Sequence, residues 1–398
     1  MSGDTQESDG HTWREFKGFI DLAAASDSED WNRSKLSNQS TIKTADDLKA
    51  FATAFGLNMK IFLTFLSLLV CSLSSVSAAE YTMTLHHFFS PKEPAQTMML
   101  KPWADNVEKL TDLRVKINIA PAMTLGGKPS ELVEQVKSGR IDLIWAINGY
   151  SGKEFLRSEV FELPFVHTND PVATNLAMRE MFESDLKEDY QGLEVMFLHV
   201  HQGQAIQSKG YAVRKPEDLL GKRARVPSRT GAWMLEELGA KTVTVPVTRI
   251  PQTLQRNIAT TVLIPFNVQP LLKLNQHISY FTEGHEQTRF GSVVFQVSMN
   301  QDRWNSLPPD IQAAFRRASD ENFLREIGTL WKEDEQRGID FMTTFKKEHI
   351  VLTLEETEAF RIKLESVVER WIEEVEKEGI DGRALVTKAR TLITSYSK

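Results

Sequence analysis

The sequence predicts an α/β protein with two lobes, a cleft between them and long C-terminal helices bracing both. Three observations carry that expectation. Strand and helix signals alternate through two rounds after residue 79, the grammar of sheets covered by helices. Residues 141–147 are nearly continuously apolar, as in a strand buried on both faces. From residue 308 onward the apolar positions recur almost wholly at helical spacing. A length of 398 residues suits two or three domains, and 41% hydrophobic with 25% charged residues excludes a multispan membrane protein, a collagen or a disordered chain.

The first round opens with a strand at 81–87 (YTMTLHH), followed by a helix at 101–110 with Trp103, Val107 and Leu110 on one face. Residues 115–119 (VKINI) alternate as a half-buried strand does. Pro129 near the start and Gly139 at the end bound a short helix, and the buried strand 141–147 follows. After a helical stretch at 171–190, the second round reads as strands at 193–200, 205–208 and 211–213. A helix at 231–238, extended chain at 243–247, a short helix at 251–256 and a buried strand at 262–265 come next. Residues 291–299 (GSVVFQVSM) are the last strong strand. Single helices are expected over 308–337, stopping at Gly338, and over 353–378. The division this implies is lobe I at 79–202 with 291–325 returning to it, lobe II at 203–290, and bracing helices at 326–398.

Upstream of the lobes lies a segment of different character. Met59-Lys60 precedes a mostly apolar run from Ile61 to Val70, small polar residues, and Val76-Ser77-Ala78 before Ala79. That is the layout of a secretory signal peptide cleaved near Ala78, and the run is too short for an ordinary membrane span. Residues 59–78 are therefore read as a signal peptide with Met59 as initiator, and 1–58, with ten acids and six bases, as a non-native or unstructured extension. A membrane anchor retaining 1–58 is the alternative. Cys71 is the only cysteine, which excludes an intramolecular disulfide and a Cys-cluster metal site. Val70 before it argues against lipidation, and a mature chain without cysteine suits an oxidising periplasm.

Little catalytic chemistry is visible. GxGxxG, P-loop, HExxH and GxSxG motifs are absent from the sequence. His199 and His201 would share one strand face, as metal ligands or an acid–base pair can, but spacing supplies no third ligand. No metal or cofactor is expected. The formal charge of −7 and isolated basic pairs such as Lys222-Arg223 give no basic field for nucleic acid. Arg225 is the informative charge. It stands between Ala224 and Val226, and an arginine on a strand entering the interior needs an anionic partner. That partner is either an internal Asp or Glu, or a ligand carboxylate accepted by the guanidinium fork.

Around Arg225 the run Asp218-Leu219-Leu220-Gly221-Lys222-Arg223-Ala224-Arg225-Val226-Pro227 resembles the D-L-x-G-x-K-x-R-V-P signature of TRAP transporter solute-binding proteins. Leu238-Gly239-Ala240 with Val245-Pro246-Val247 is similar to that family's L-G-A-x-P-V-x-x-P-V. Leu125-Gly126-Gly127 with Gln135-Val136-Lys137-Ser138-Gly139-Arg140-Ile141-Asp142 resembles its Q-L-G and Q-V-x-x-G-x-x-D. Phe161-Glu162-Leu163-Pro164-Phe165 looks like F-x-L-P-F, and Met299-Asn300 with Trp304-Asn305-Ser306-Leu307-Pro308 like M-N-x-x-x-W-x-x-L-P. The matches keep family order from about 80 to 340 and so cover nearly all of the lobed region.

The resemblance implies a periplasmic binding protein of class II-like fold, a Venus flytrap that captures a small organic acid and delivers it to the TRAP membrane permease subunits. It places the family's carboxylate clamp on Arg225. It also implies apolar walls from Phe88, Trp145 and Phe266, although each aromatic would serve equally as plain core, and polar contacts from Asn148, Gln204 and Asn267. Gln204 stands near where many relatives carry a second basic residue, which points to a monocarboxylate, such as a short hydroxy or keto acid. Where the family's second corner has G-x-x-D-G, this chain has Asn257-Ile258-Ala259-Thr260-Thr261. The rival expectation is an exported enzyme acting on a small carboxylic acid, for which His199 and His201 would be the acid–base candidates.

Overall fold

The computed structural model describes residues 79–397; the extension 1–58 and the signal-like run 59–78 lie outside the described residues. Among the described residues no helix is long and apolar enough to cross a membrane. Two sheets organise the chain. The first has the order β2-β1-β3-β10-β4, built from Val115–Ala120, Tyr81–His86, Leu143–Ile147, Phe295–Asn300 and Leu193–His199. β1 runs parallel to β2 and β3, whereas β10 is antiparallel to both β3 and β4. The second has the order β11-β9-β5-β8-β6-β7, from Glu348–Val351, Tyr280–Glu283, Ala205–Ser208, Thr261–Ile264, Arg223–Val226 and Lys241–Thr244. β6 is parallel to β7 and β8, and β5 is antiparallel to β8 and β9.

The helices follow in chain order. Lys101–Leu110 (α1), Leu132–Lys137 (α2) and Pro171–Met181 (α3) cover the first sheet. Arg229–Glu237 (α4), Ile250–Gln255 (α5) and Gln269–Leu272 (α6) belong with the second. Gln301–Asn305 (α7) and Pro309–Ala318 (α8) come after β10, and Glu321–Thr344 (α9), Leu354–Glu376 (α10) and Gly382–Tyr396 (α11) finish the chain. Local chemistry sets several starts. Asp170 caps α3 by accepting the Ala173 N–H (2.9 Å), with Pro171 at the first position where no N–H is needed. Ser228 caps α4 by accepting from Gly231 (3.3 Å). All five residues of β3 are buried, as its unbroken apolar run requires.

Four expectations need correction. The single helix expected over 308–337 is two, because Asp320 starts a new helix by accepting the Phe323 N–H (3.0 Å). Gly338 does not stop that helix, which continues to Thr344. A Cβ at Gly338 would lie 2.0 Å from the Phe266 carbonyl oxygen, so the glycine permits a close approach. Ten residues earlier a Cβ at Gly328 would meet the Val172 backbone at 2.7 Å. α9 thus touches α3 of the first lobe at one glycine and the 266–267 corner of the second at the other. Finally, the ladder of the last strand begins at Phe295, and 211–213 is loop.

The altered corner at 257–261 forms a regular turn. Asn257 takes φ 52°, matching Gly139 at φ 72° in the first lobe, and asparagine tolerates this left-handed region better than most residues. The Asn257 and Ile258 N–H groups donate to Leu254 and Thr253, as those of Gly139 and Arg140 donate to Val136 and Gln135. The same helix-ending pattern therefore closes both corners.

Candidate ligand cleft

A narrow cavity of about 40 Å³ lies where the carboxyl end of β6 faces β3 and β10, with lining residues from both sheets and from α9. Its walls are aromatic: Phe89, Trp145, Tyr150, Phe295 and Trp331 all line it. Several of these rings lie in near-parallel planes. Phe295 stacks on Trp145 (5.2 Å, 7°) and on His199 (4.8 Å, 6°), and His199 in turn on Trp331 (5.7 Å, 4°). A planar apolar ligand has the same shape as the rings already stacked here.

Arg225, on β6 and 1% exposed, supplies the charge. Its Nε donates to the Val245 carbonyl (2.9 Å) and Nη1 to the Leu263 carbonyl (3.1 Å), which fix the plane of the fork. Nη2 is buried without a partner. Among the described residues no carboxylate pairs with this guanidinium, and the titratable group that acts on it is the Tyr150 phenol. Burial lowers the Arg225 pKa and raises that of Tyr150, each disfavouring charge. The Tyr150 oxygen accepts from the Val247 N–H (2.9 Å), leaving its own proton available to an acceptor beside Arg225.

Three further polar groups on the lining have an unpartnered buried atom: Trp331 Nε1, Asn267 Oδ1 and the Gln204 amide. His201 Nδ1 accepts the Gly203 N–H (2.8 Å), and burial holds this imidazole neutral, so its proton sits on Nε2. The Gln204 amide nitrogen stands 3.4 Å from that nitrogen with Oε1 unpartnered; since two donors do not bond, exchanging the amide ends lets the oxygen accept there and leaves the NH2 for the cleft. Asn267 has the opposite polarity. Its Nδ2 donates to Asp334 Oδ2 (3.0 Å) and its backbone N–H to Glu335 (2.8 Å), so Oδ1 is the atom left over.

Of the seven residues singled out in the sequence, Trp145, Gln204, Arg225 and Asn267 meet on the cavity lining, whereas Phe88, Asn148 and Phe266 stand off it. Phe88 backs the wall, stacked behind Trp145 (5.0 Å, 8°), while Phe89 lines. Asn148 uses both ends internally, donating to Tyr190 Oη (2.8 Å) and accepting from Gln296 Nε2 (2.8 Å), while Tyr150 two residues on lines. Phe266 lies under the Arg289 guanidinium (4.5 Å) and edge-on to Phe281 (5.2 Å). Sequence reasoning missed Tyr150, Phe295 and Trp331. Of the two histidines, His201 lines the cavity with its Nδ1 bonded to Gly203, and His199 stands behind the wall: its Nε2 accepts from Trp145 Nε1 (2.9 Å), and burial lowers its pKa to about 3.

Residues 85–374 match the family model DctP, bacterial extracellular solute-binding protein, family 7. Among solved structures the chain is similar to a TRAP solute-binding protein specific for aromatic acid ligands, from an unidentified marine microbe, in complex with 3-hydroxybenzoate. The two are 27% identical with a TM-score of 0.78, over 80% of this chain and 100% of that one. It is also similar to a TRAP solute-binding protein from Rhodoferax ferrireducens in complex with copurified benzoate, at 30% identity and a TM-score of 0.76, over 79% of this chain and 98% of that one. The outer membrane transporter protein TsaT of Comamonas testosteroni is 22% identical over 325 residues, which are 79% of this chain and 93% of that relative.

Proposed function

The chain belongs to the bacterial extracellular solute-binding proteins, family 7, and is a TRAP-type solute-binding receptor with a two-lobed α/β fold; from that premise we propose that its cargo is an aromatic monocarboxylate clamped by Arg225. The observation that carries this reading is the buried guanidinium with a free Nη2, among stacked rings and with no carboxylate of the described residues paired to it. Leaving such a charge unpaired is costly, and a carboxylate brought by the ligand relieves it. Nη2 and the Tyr150 hydroxyl then both donate to that carboxylate, and the ring enters between the aromatic walls. The solved relatives holding benzoate and 3-hydroxybenzoate support the same ligand class.

Trp145, Phe89, Phe295 and Trp331 supply the walls, and Gln204 and Asn267 the remaining polar contacts. The ligand leaves chemically unchanged: the two histidines nearest the cleft are held neutral and hydrogen-bonded by their surroundings, which suits a receptor and not an acid–base catalyst. Contacts shared by both lobes favour the closed form, and that form is the one a TRAP permease would receive. In the cell the run 59–78 directs export to the periplasm and is removed after Ala78; N-terminal sequencing of the exported protein, beginning at Ala79, checks this.

The binding test is a thermal-shift and calorimetric titration of ligand-free protein with benzoate, aliphatic monocarboxylates and uronates. A saturable rise in melting temperature with the aromatic acid, lost in Arg225→Ala, is expected. Removal of this charged hydrogen-bond partner costs about 2–5 kcal/mol of binding. Undiminished affinity in Arg225→Ala overturns the clamp, and saturable binding of an aliphatic acid alone overturns the aromatic assignment.

A further inference from the structure

The end of the cleft formed by α9 carries one unpaired donor and one unpaired acceptor. Trp331 Nε1–H is buried without a partner, and its ring is held in place by stacking on His199. Asn267 Oδ1 is likewise buried without a partner. Asn267 cannot exchange its amide ends freely, because Asp334 accepts from its Nδ2 and Asp334 is itself paired with Arg337 (2.6 Å). A carboxylate accepts only, so the amide must offer it nitrogen and keep oxygen for the cleft. Trp331 and Asp334 are three residues apart on α9 and so share one face of that helix. The indole donor and the amide acceptor therefore belong to one locality.

From these two atoms, and resting on the reading of the cleft as an aromatic-carboxylate site, we infer that the ligand bears a ring hydroxyl that accepts from Trp331 Nε1–H and donates to Asn267 Oδ1. A hydroxyl is the small group that does both at once. An unsubstituted ring leaves both protein groups desolvated and unsatisfied, and sites built around a substrate hydroxyl reject analogues lacking it strongly. Asp334 is the positioning residue, since it sets which end of the Asn267 amide faces the ligand. Arg225 and Tyr150 hold the carboxylate whether or not the hydroxyl is present, so this end governs discrimination among aromatic acids.

The experiment compares dissociation constants of ligand-free protein for benzoate, the three hydroxybenzoate isomers and the matching fluorobenzoates, which replace the hydroxyl by a group unable to donate. The expected result is that at least one hydroxybenzoate binds about tenfold or more tighter than both benzoate and its fluoro counterpart. In Asn267→Ala and in Trp331→Phe, which keeps a ring against His199, that ratio falls toward one. Two results overturn the inference while leaving the aromatic-acid receptor standing: benzoate binding as tightly as every hydroxy isomer, or a preference that survives in both variants. If no aromatic acid binds but an aliphatic acid does so through Arg225, the reading beneath the inference fails as well.

Discussion

Arg225 and Arg289 are buried to the same degree, at 1% and 0% exposure, yet their surroundings differ by two carboxylates. Arg289 lies within ion-pair distance of Glu283 (2.6 Å) and Glu335 (3.2 Å), although not in hydrogen-bond alignment, and rests on the face of Phe266. Glu283 is bonded in addition to His349 Nε2 (2.8 Å), and Glu335 accepts the backbone N–H groups of Phe266 and Asn267 (both 2.8 Å). That cluster answers its own charge and ties α9 to the corner that carries Asn267. Arg225 has carbonyls, a phenol and one free nitrogen. Burial alone therefore does not mark a binding arginine; burial without an anionic partner does.

Removing each charge breaks or sharpens the comparison. Arg289→Met strands two buried carboxylates, and breaking a buried pair in this way costs about 3–5 kcal/mol of stability. Denaturant unfolding of ligand-free protein is expected to show that loss. Arg225→Met removes a charge the protein does not balance, so the same assay should show no loss or a gain, while aromatic-acid binding disappears. If Arg225→Met is destabilised as severely as Arg289→Met, Arg225 belongs to the scaffold and the comparison collapses.

The same contrast explains which parts of the molecule were legible in the sequence. Arg225 was, because an arginine between Ala224 and Val226 on a strand is a local contradiction that chemistry must resolve. The strands were legible where burial imposes a two-residue period or an unbroken apolar run, as in 115–119 and 141–147. Site side chains just beyond strand ends were placed only to the segment. β1 ends at His86 and β3 at Ile147, and past those points alternation no longer says which side chain turns inward, so Phe88 was named where Phe89 lines and Asn148 where Tyr150 lines. Trp331 was out of reach, because it enters the cleft through the crossing of α9, which two glycines permit and no local pattern announces. The proposed aromatic ligand departs from the short hydroxy or keto acid expected in the sequence, a reading made without Tyr150, Phe295 and Trp331 on the cavity lining.

Glu162 is the inverse of Arg225 and gives the smallest and most discriminating effect. It is a buried carboxylate on the 158–162 turn of the first lobe, accepting from the Val294 N–H (3.1 Å) and from Thr230 Oγ1 (3.1 Å) on α4 of the second. Burial first, then the neighbouring Glu159 charge, pushes its pKa up to about 7. Among the described residues no cation pairs with Glu162, and Arg229 is engaged with Glu159 and Glu374. An arginine in this position has no escape, since it does not deprotonate at accessible pH; a glutamate takes up a proton. With its native pKa above the ordinary value of 4.5, the native state holds a proton that the unfolded state has already released. Stability is therefore greatest below pH 4.5 as far as this group is concerned, and its contribution is lost as pH rises from there to 7, by on the order of 1–3 kcal/mol. Asp189 and Glu335, also raised by burial, titrate in the same range, so the readout is the difference between wild type and Glu162→Gln. The amide mimics the protonated acid, and the variant should lose less stability than wild type between pH 5 and 7.5. Because Thr230 belongs to the opposite lobe, the same difference should appear in aromatic-acid affinity if closure buries Glu162. A pH profile of stability unchanged by Glu162→Gln would mean that Glu162 stays ionised in the closed protein, and that the rule separating Arg225 from Arg289 does not extend to carboxylates.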